Sequence, residues 1–404
     1  MHDVWVAGAD MTRIGRLAEP LPDLMAVAAH AALRAADRDR PDAIVIATMN
    51  PEEFVGDANF ASNIATHMGF ADVPVLRVET ASSSGAAAFY AGFAQVASGL
   101  ARTVVVVGGE KMTHLATPKV SELIGRSLDP YERSYGTTMP AFAALVTRAL
   151  MARHGVTEGE IAHVAVKNHA NGARNPLAQF REPITIDMVL ESRMVADPLH
   201  GMECPMLADG AAAFVMTSAE NAKRRGIKDT VRVAGSGGCV SHYSGGQEAD
   251  LAALGWATAA RRAYEQSGWG PGDAQFGQIY DSYAAVTAIA VEGLGLCEPG
   301  EGARWFASGA CKPGGAFPCN TNGGLLSAGH TGVGGGTALL VEGVRQLLRR
   351  ADSERQIPDA QRCVIGGTGG SYMDAQVLLL ERNVTLKTSI AEGTPLIFGD
   401  PDRL

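Results

Sequence analysis

Uninterrupted apolar runs, rather than alternating ones, set the character of this chain. Residues 43–49 read Ala-Ile-Val-Ile-Ala-Thr-Met and residues 103–108 read Thr-Val-Val-Val-Val-Gly. Such runs mark strands covered on both faces. Further strands are predicted over 4–9, 76–80, 210–217, 276–280, 363–365 and 375–380. Between them, helices are predicted over 24–36, 84–98, 250–266, 285–294 and 333–348. Strands alternating with helices imply crossover units and a mainly parallel sheet with helices on both faces. The rhythm is lost over 115–205, which is richer in Pro, Arg, Asn and Met and reads as inserted loops and helices. Residues 235–246 read as a turn-rich stretch.

The pattern contains an internal echo. The strand over 76–80 runs into Thr80-Ala81-Ser82, turns, opens a helix and returns to the strand over 103–108. Later, residues 323–330 open a helix that returns to the strand over 363–365. Two similar βαβ halves are therefore expected, with function at the shared strand ends. The expected first half comprises 1–115 and 206–248, the inserted loop domain 116–205, and the second half 249–404.

Composition narrows the function classes. The 404 residues suit two or three domains, and 48 glycines suit many tight strand–helix turns. With 34 Lys and Arg against 43 Asp and Glu, the formal charge is −9, which argues against a nucleic-acid surface. No apolar run reaches the roughly 18 residues that a membrane helix needs. The segment Met1-His2-Asp3-Val4-Trp5-Val6 lacks a basic region followed by an apolar stretch, so a cytoplasmic protein is expected. The six cysteines form no C-x-x-C pair, so neither a zinc site nor a redox pair is indicated.

Three places could carry chemistry. Ser82 sits in Ala81-Ser82-Ser83-Ser84-Gly85, a small-residue turn between a buried strand and a helix. The free N–H groups there favour negative charge, but a hydroxyl still needs a base to become a nucleophile. The bland alternative is that Ser82 to Ser84 cap the helix. His330 lies in the Gly-rich stretch 320–332, where it could donate to a carbonyl oxygen, act as a base, or satisfy nearby backbone. The cluster Gly366-Gly367-Thr368-Gly369-Gly370 could present an oxyanion hole or form a tight connection. The fragment Gly235-Ser236-Gly237-Gly238 is no dinucleotide site, because no G-x-G-x-x-G follows a strand and opens a helix.

Taken together, these segments resemble the thiolase superfamily, and more narrowly its sterol-carrier-protein type. Ala81-Ser82-Ser83-Ser84-Gly85 is similar to the family's A-C-A-S/T-G nucleophile turn. Gly109-Glu110-Lys111-Met112, Lys167-Asn168-His169, Asn175-Pro176-Leu177-Ala178-Gln179-Phe180 and Asp209-Gly210-Ala211-Ala212-Ala213 resemble four further family segments. Residues 320–330 look like N-x-x-G-G-x-L-S-x-G-H.

The resemblance implies a thiolase fold: two five-stranded mixed sheets in αβαβα layers, plus a loop domain. It implies a CoA thioester substrate, no bound cofactor or metal, and a homodimer or tetramer. A small zinc-ribbon/OB-fold partner is also implied. By the same resemblance, Ser82, His330, Tyr280 and Cys363 fall at catalytic positions. Gly366, Gly367 and Gly369 fall at the oxyanion strand, and Met139, Asn320 and Gly329 at substrate-binding positions.

The departures weigh as much. Ser82 replaces the acylated cysteine, Thr331 follows His330 where the family has Pro, and Tyr280 takes the Asn/His place in Tyr280-Asp281-Ser282-Tyr283. Matching Gln356-Ile357-Pro358-Asp359-Ala360 to the family's Q-V-P-G-A places Gly366 at the second acid/base position, and an ungapped match to C-x-G-G-G-x-G places Cys363 there. Three expectations follow: altered chemistry on an acyl-CoA, including retro-aldol cleavage; acyl transfer through Ser82; or a CoA-binding scaffold subunit. Aldolase relatives carry Tyr at the position of His330, which weighs against the retro-aldol reading.

Overall fold

The computed structural model describes residues 2–241 and 244–383. The last 21 residues of the expected second half, 384–404, lie outside the described residues. Nine strands form one sheet: β1 (Val4–Met11), β2 (Ala43–Ala47), β3 (Val75–Val78), β4 (Thr103–Glu110), β5 (Gly210–Ser218), β6 (Val231–Val240), β7 (Phe276–Ile279), β8 (Arg362–Gly369) and β9 (Asp374–Arg382). Their order is β3-β2-β4-β5-β1-β6-β9-β8-β7.

The sheet is two copies of one plan. In the first half, β2 runs parallel to β3 and β4, while β5 is antiparallel to β4 and β1. In the second, β7 runs parallel to β8, while β9 is antiparallel to β8 and β6. The place equivalent to β3 is held by the parallel bridge Gly277↔Cys319. Within the sheet, among the described residues, the halves pair where Trp5 and Val6 of β1 meet Arg232 and Val231 of β6.

Helix α1 (Leu21–Ala35) covers the first half from outside, against β1 and β5. The middle segment is more regular than expected. It holds α3 (Met139–His154), capped by Thr138, and α4 (Glu158–Gly172), which opens on a Thr157/Glu160 capping box. Helix α5 (Trp256–Ser267) covers the second half, against β6 and β9. Helices α2 (Ser84–Ala97) and α6 (Val333–Leu347) pack against each other between the halves. Small residues permit that approach: a Cβ at Gly85 would stand 2.6 Å, and one at Gly108 2.5 Å, from Thr337 Oγ1. Among the described residues, no helix is long and apolar enough to cross a membrane.

One expectation fails outright. The glycines over 235–238 do not mark turns; they belong to β6. A Cβ at Gly235 would lie 2.4 Å from Ala263 O, and one at Gly237 2.1 Å from Ala259 O. These glycines let α5 lie directly on the strand, so their cause is a helix that the local sequence does not reveal.

Two of the family-like segments prove architectural. Asp209 accepts from Met112 N (2.8 Å), Thr113 N (2.8 Å), Thr113 Oγ1 (2.6 Å) and Lys111 Nζ (3.0 Å). Burial pushes this carboxyl up, but those donors prevail and hold it below its ordinary range. Its neighbour Glu110 is buried and accepts from Thr48 Oγ1 (2.8 Å) and Met49 N (2.9 Å).

The packing of α5 on β6 yields a stability prediction. Gly237→Ala should lower unfolding stability by about 2 kcal/mol or more, as overpacked cores do. Guanidinium melts measure it, and a midpoint within error of the parent would refute this account of the glycine.

Candidate active site

The turn after β3 is built by its own serines. Ala81 adopts φ 50°, a left-handed conformation that non-glycine residues seldom take. Ser84 Oγ accepts from Thr80 N (2.8 Å) and donates to Ala81 O (2.5 Å). Ser83 Oγ donates to Thr80 O (2.7 Å) and also contacts Asp374 Oδ2. With Ser83 and Ser84 occupied, Ser82 is left half-buried and facing a cavity of about 180 Å³.

That cavity brings Ser82, Tyr280 and His330 together, with Met139 and Gly369 also on its wall. Tyr280 directly follows β7. Its N–H donates to Gly366 O (2.9 Å). The next residue, Asp281, accepts from Leu325 N (2.8 Å) and Leu326 N (3.1 Å) and also contacts Asn168 Nδ2. Asp281 thereby ties the Tyr280 loop to the segment leading into His330.

His330 is anchored through its backbone, donating to Met206 O (2.8 Å) and accepting from Ala208 N (3.0 Å). Gly332 N donates to His330 Nδ1 at 3.2 Å, so Nδ1 carries no proton. The neutral ring then holds its hydrogen on Nε2, which lies 2.7 Å from Tyr280 Oη. Nε2–H therefore donates to the phenol oxygen, and the phenol's own hydrogen is left to point at Ser82 or into the cavity. Burial pushes His330 down to about 4. Burial also raises Tyr280 well above the ordinary phenol range, although the neighbouring Ser82 hydroxyl acts the other way. Both groups are neutral near pH 7.

The remaining expected residues divide. Gly366 and Gly367 border a void of about 10 Å³ on another side of Ser82 and Tyr280. A Cβ on Gly369 would stand 2.5 Å from Thr80 O, so that strand passes directly over the serine turn. Cys363 does not reach the site. It is fully buried in β8 against Gly343 of α6, and burial raises its thiol well above the ordinary range.

Asn320 and Gly329, expected at substrate-binding positions, do not line the cavity, and their contacts are with the scaffold. Asn320 is buried, and its amide pairs with Ile279, accepting from N (2.7 Å) and donating to O (2.8 Å). It thus completes the strand end that presents Tyr280. Gly329 adopts φ 108°, and a Cβ there would lie 2.6 Å from Gln179 Oε1. Sequence reasoning missed several cavity residues, among them Cys204, Ser282 and Tyr372. Tyr372 follows the glycine cluster over 366–370, the one local signal that could have found it, whereas nothing near Cys204 in the chain signals a site. Burial pushes the Cys204 thiol up to about 12, so it is no ready nucleophile. Among the described residues, no group of three or more His, Cys, Asp or Glu could hold a metal.

Residues 4–220 match the family description "Thiolase, N-terminal domain", and residues 237–382 match "Thiolase C-terminal domain-like". The chain belongs to the thiolase family. Sterol carrier protein 2 from Rattus norvegicus is among its homologues, in keeping with the sterol-carrier-type resemblance. An acetyl-CoA acetyltransferase from Methanothermobacter thermautotrophicus is 34% identical over 379 residues, covering 92% of this chain and 98% of that one. A 17-hydroxy-3-oxo-4-pregnene-20-carboxyl-CoA lyase from Mycobacterium tuberculosis is 35% identical over 247 residues, 58% of this chain and 61% of that one. A solved structure titled "Ltp2-ChsH2(DUF35) aldolase" superposes with a TM-score of 0.82 at 23% identity, covering 95% of this chain and 99% of that one. The fold is thus the thiolase fold, and the family's substrates are acyl-CoA thioesters.

Within this thiolase-family site, His330 should stay neutral where an ordinary histidine is charged. Its folded pKa of about 4 lies below the free value of 6.5, so the unfolded chain binds the extra proton between those limits. The contribution to stability is complete above 6.5 and is lost as pH falls towards 4, amounting to about 3 kcal/mol at about 1.4 kcal/mol per pH unit. Imidazole ¹⁵N shifts should report the neutral Nε2–H tautomer at pH 5. A titration centred near 6.5 would remove His330 from this environment.

Proposed function

We propose that this chain makes or breaks a carbon–carbon bond beside a CoA thioester, through the thioester enolate and without an acyl-enzyme. The observation that carries this reading is the buried Tyr280–His330 pair, 2.7 Å apart, on the wall of the cavity that Ser82 faces. The pair is built to donate. His330 Nε2–H supports the phenol oxygen, and the phenol O–H, beside Ser82, can turn to an oxygen that gains negative charge. A preorganised donor in a dry site does this far better than water.

In a retro-aldol step, the β-hydroxyl of the substrate passes its proton to a solvent water as the Cα–Cβ bond breaks. A carbonyl compound leaves, and the electron pair passes through Cα to the thioester oxygen. Tyr280 holds that oxygen, His330 disperses part of the charge, and the same water returns a proton to Cα at the end. The same enolate would serve the reverse, bond-forming direction.

Ser82 supports the absence of an acyl-enzyme. A hydroxyl needs an adjacent base, yet both His330 nitrogens are already engaged, by Tyr280 and Gly332. The group beside Ser82 is a phenol whose ionisation burial suppresses. The lyase relative favours cleavage chemistry as well. The phenol that aldolase relatives carry at the His330 position is supplied here from Tyr280, beside the histidine rather than in its place.

A second reading concerns assembly. The structural neighbour's name joins Ltp2 to ChsH2(DUF35), which favours work beside a partner protein. The edge strand β3 leaves Leu76 exposed, as Tyr90 is on α2, and both favour pairing of two copies of this chain.

The test offers 3-hydroxyacyl-CoA and 3-oxoacyl-CoA substrates to the full chain, with products and intact protein read by mass spectrometry. Tyr280→Phe should lower kcat about a hundred-fold with little change in KM, the usual cost of losing one oxyanion donor. Ser82→Ala should retain activity within a few-fold, and no acyl adduct should form. An acyl group on Ser82, or thiolysis lost in Ser82→Ala, would overturn the reading in favour of acyl transfer.

A further inference from the structure

The wall of the cavity carries two hydroxyls that the proposed chemistry does not use. Tyr372 and Ser282 both line it, at 2% and 5% exposure. Neither Tyr372 Oη nor Ser282 Oγ has a hydrogen-bond partner in the protein. The two are neighbours, close enough for the Ser282 hydroxyl to favour ionisation of Tyr372, yet no hydrogen bond joins them in the structure. A buried hydroxyl left without a partner destabilises a fold by about 1–3 kcal/mol, so two at one place call for an explanation.

A second, independent feature lies at the same residue. Tyr372 adopts φ 64° in the short turn between β8 and β9. For a bulky aromatic this is a genuine outlier, and such strain persists only where the surroundings enforce it. Here the ring is clamped. It stacks on Phe142 of α3 at 5.7 Å between centroids and meets Tyr283 edge-on at 6.2 Å. The clamp fixes the hydroxyl while giving it nothing to bond.

The rest of the wall limits what could bond it. Ile124, Met139, Val195 and Leu207 are apolar, and among the described lining residues none is Lys, Arg, Asp or Glu. A charged carboxylate would be buried there with no counter-ion, at high cost. A neutral oxygen meets no such penalty and would satisfy both hydroxyls.

We propose that Tyr372 and Ser282 form a specificity site for an uncharged oxygen, a keto or hydroxyl group, on the acyl chain of the CoA thioester. This rests on the reading that the cavity holds the acyl part. The acyl group is then an oxygenated one, neither a plain hydrocarbon chain nor a dicarboxylate. A site of this kind discriminates strongly, because an analogue without the oxygen leaves both hydroxyls unpaired.

The experiment measures calorimetric affinities of the full chain for matched pairs that the proposed chemistry cannot cleave: pentanoyl-CoA with 4-oxopentanoyl-CoA, and hexanoyl-CoA with 5-oxohexanoyl-CoA. Succinyl-CoA serves as the charged control. In at least one pair the oxo compound should bind about ten-fold tighter, the effect of one buried hydrogen bond. Tyr372→Phe keeps the ring in its clamp; it should erase the preference, so that the two members of the pair bind alike. Ser282→Ala provides the same readout should the first variant fold poorly. Equal affinities within both pairs would overturn the specificity site while leaving the acyl-CoA reading intact. Tighter binding of succinyl-CoA than of either oxo compound would overturn the uncharged class. If no acyl-CoA binds at all, both readings fall.

Discussion

Two sheet halves share one layer of helices, and the rest of the molecule depends on that contact. α2 and α6 can lie together only because Gly85 and Gly108 leave room for Thr337. The approach sets the N-terminal ends of both helices on one cleft. The turn before α2 delivers Ser82, and the loop before α6 delivers His330. Tyr280 comes to the same place because it follows β7, the second-half counterpart of β2. Residues 82, 280 and 330 therefore meet through the repeated plan and not through any local contact.

Burial then decides the chemistry of what meets there. The same dry surroundings keep His330 neutral, keep Tyr280 protonated and silence the thiols of Cys204 and Cys363. A site with no ionised nucleophile but a preorganised donor pair suits an enolate better than an acyl-enzyme. Gly332, whose N–H occupies His330 Nδ1, fixes the proton placement on the ring. A backbone amide thereby sets which way the hydrogen bonds run.

Much of what looks like signature chemistry in the chain holds the scaffold instead. Asp209 stitches the segment after β4 to the start of β5, and Asp281 ties the Tyr280 loop to residues 325–326. Asn320 closes the end of β7 in the manner of a strand neighbour. Each is a buried polar group whose hydrogen-bonding demands are met by backbone from another part of the chain, so each acts at a distance from its own motif. The motifs they sit in made the family legible, while their roles became visible only from their partners.

The sequence by itself determined the strands with continuous apolar runs, the alternation that requires crossovers, the duplicated plan, and Ser82 and His330 as residues on small-residue turns between elements. These follow from local periodicity and turn chemistry, which act over a few residues. Tertiary structure alone decided that the glycines of 235–238 form a strand under α5, that Cys363 faces the core, and that Tyr280 reaches His330. It also placed Tyr372, held with φ 64° by Phe142 and Tyr283, on the wall of the cavity. In each case the deciding atoms come from segments distant in the chain, and only folding brings them within reach.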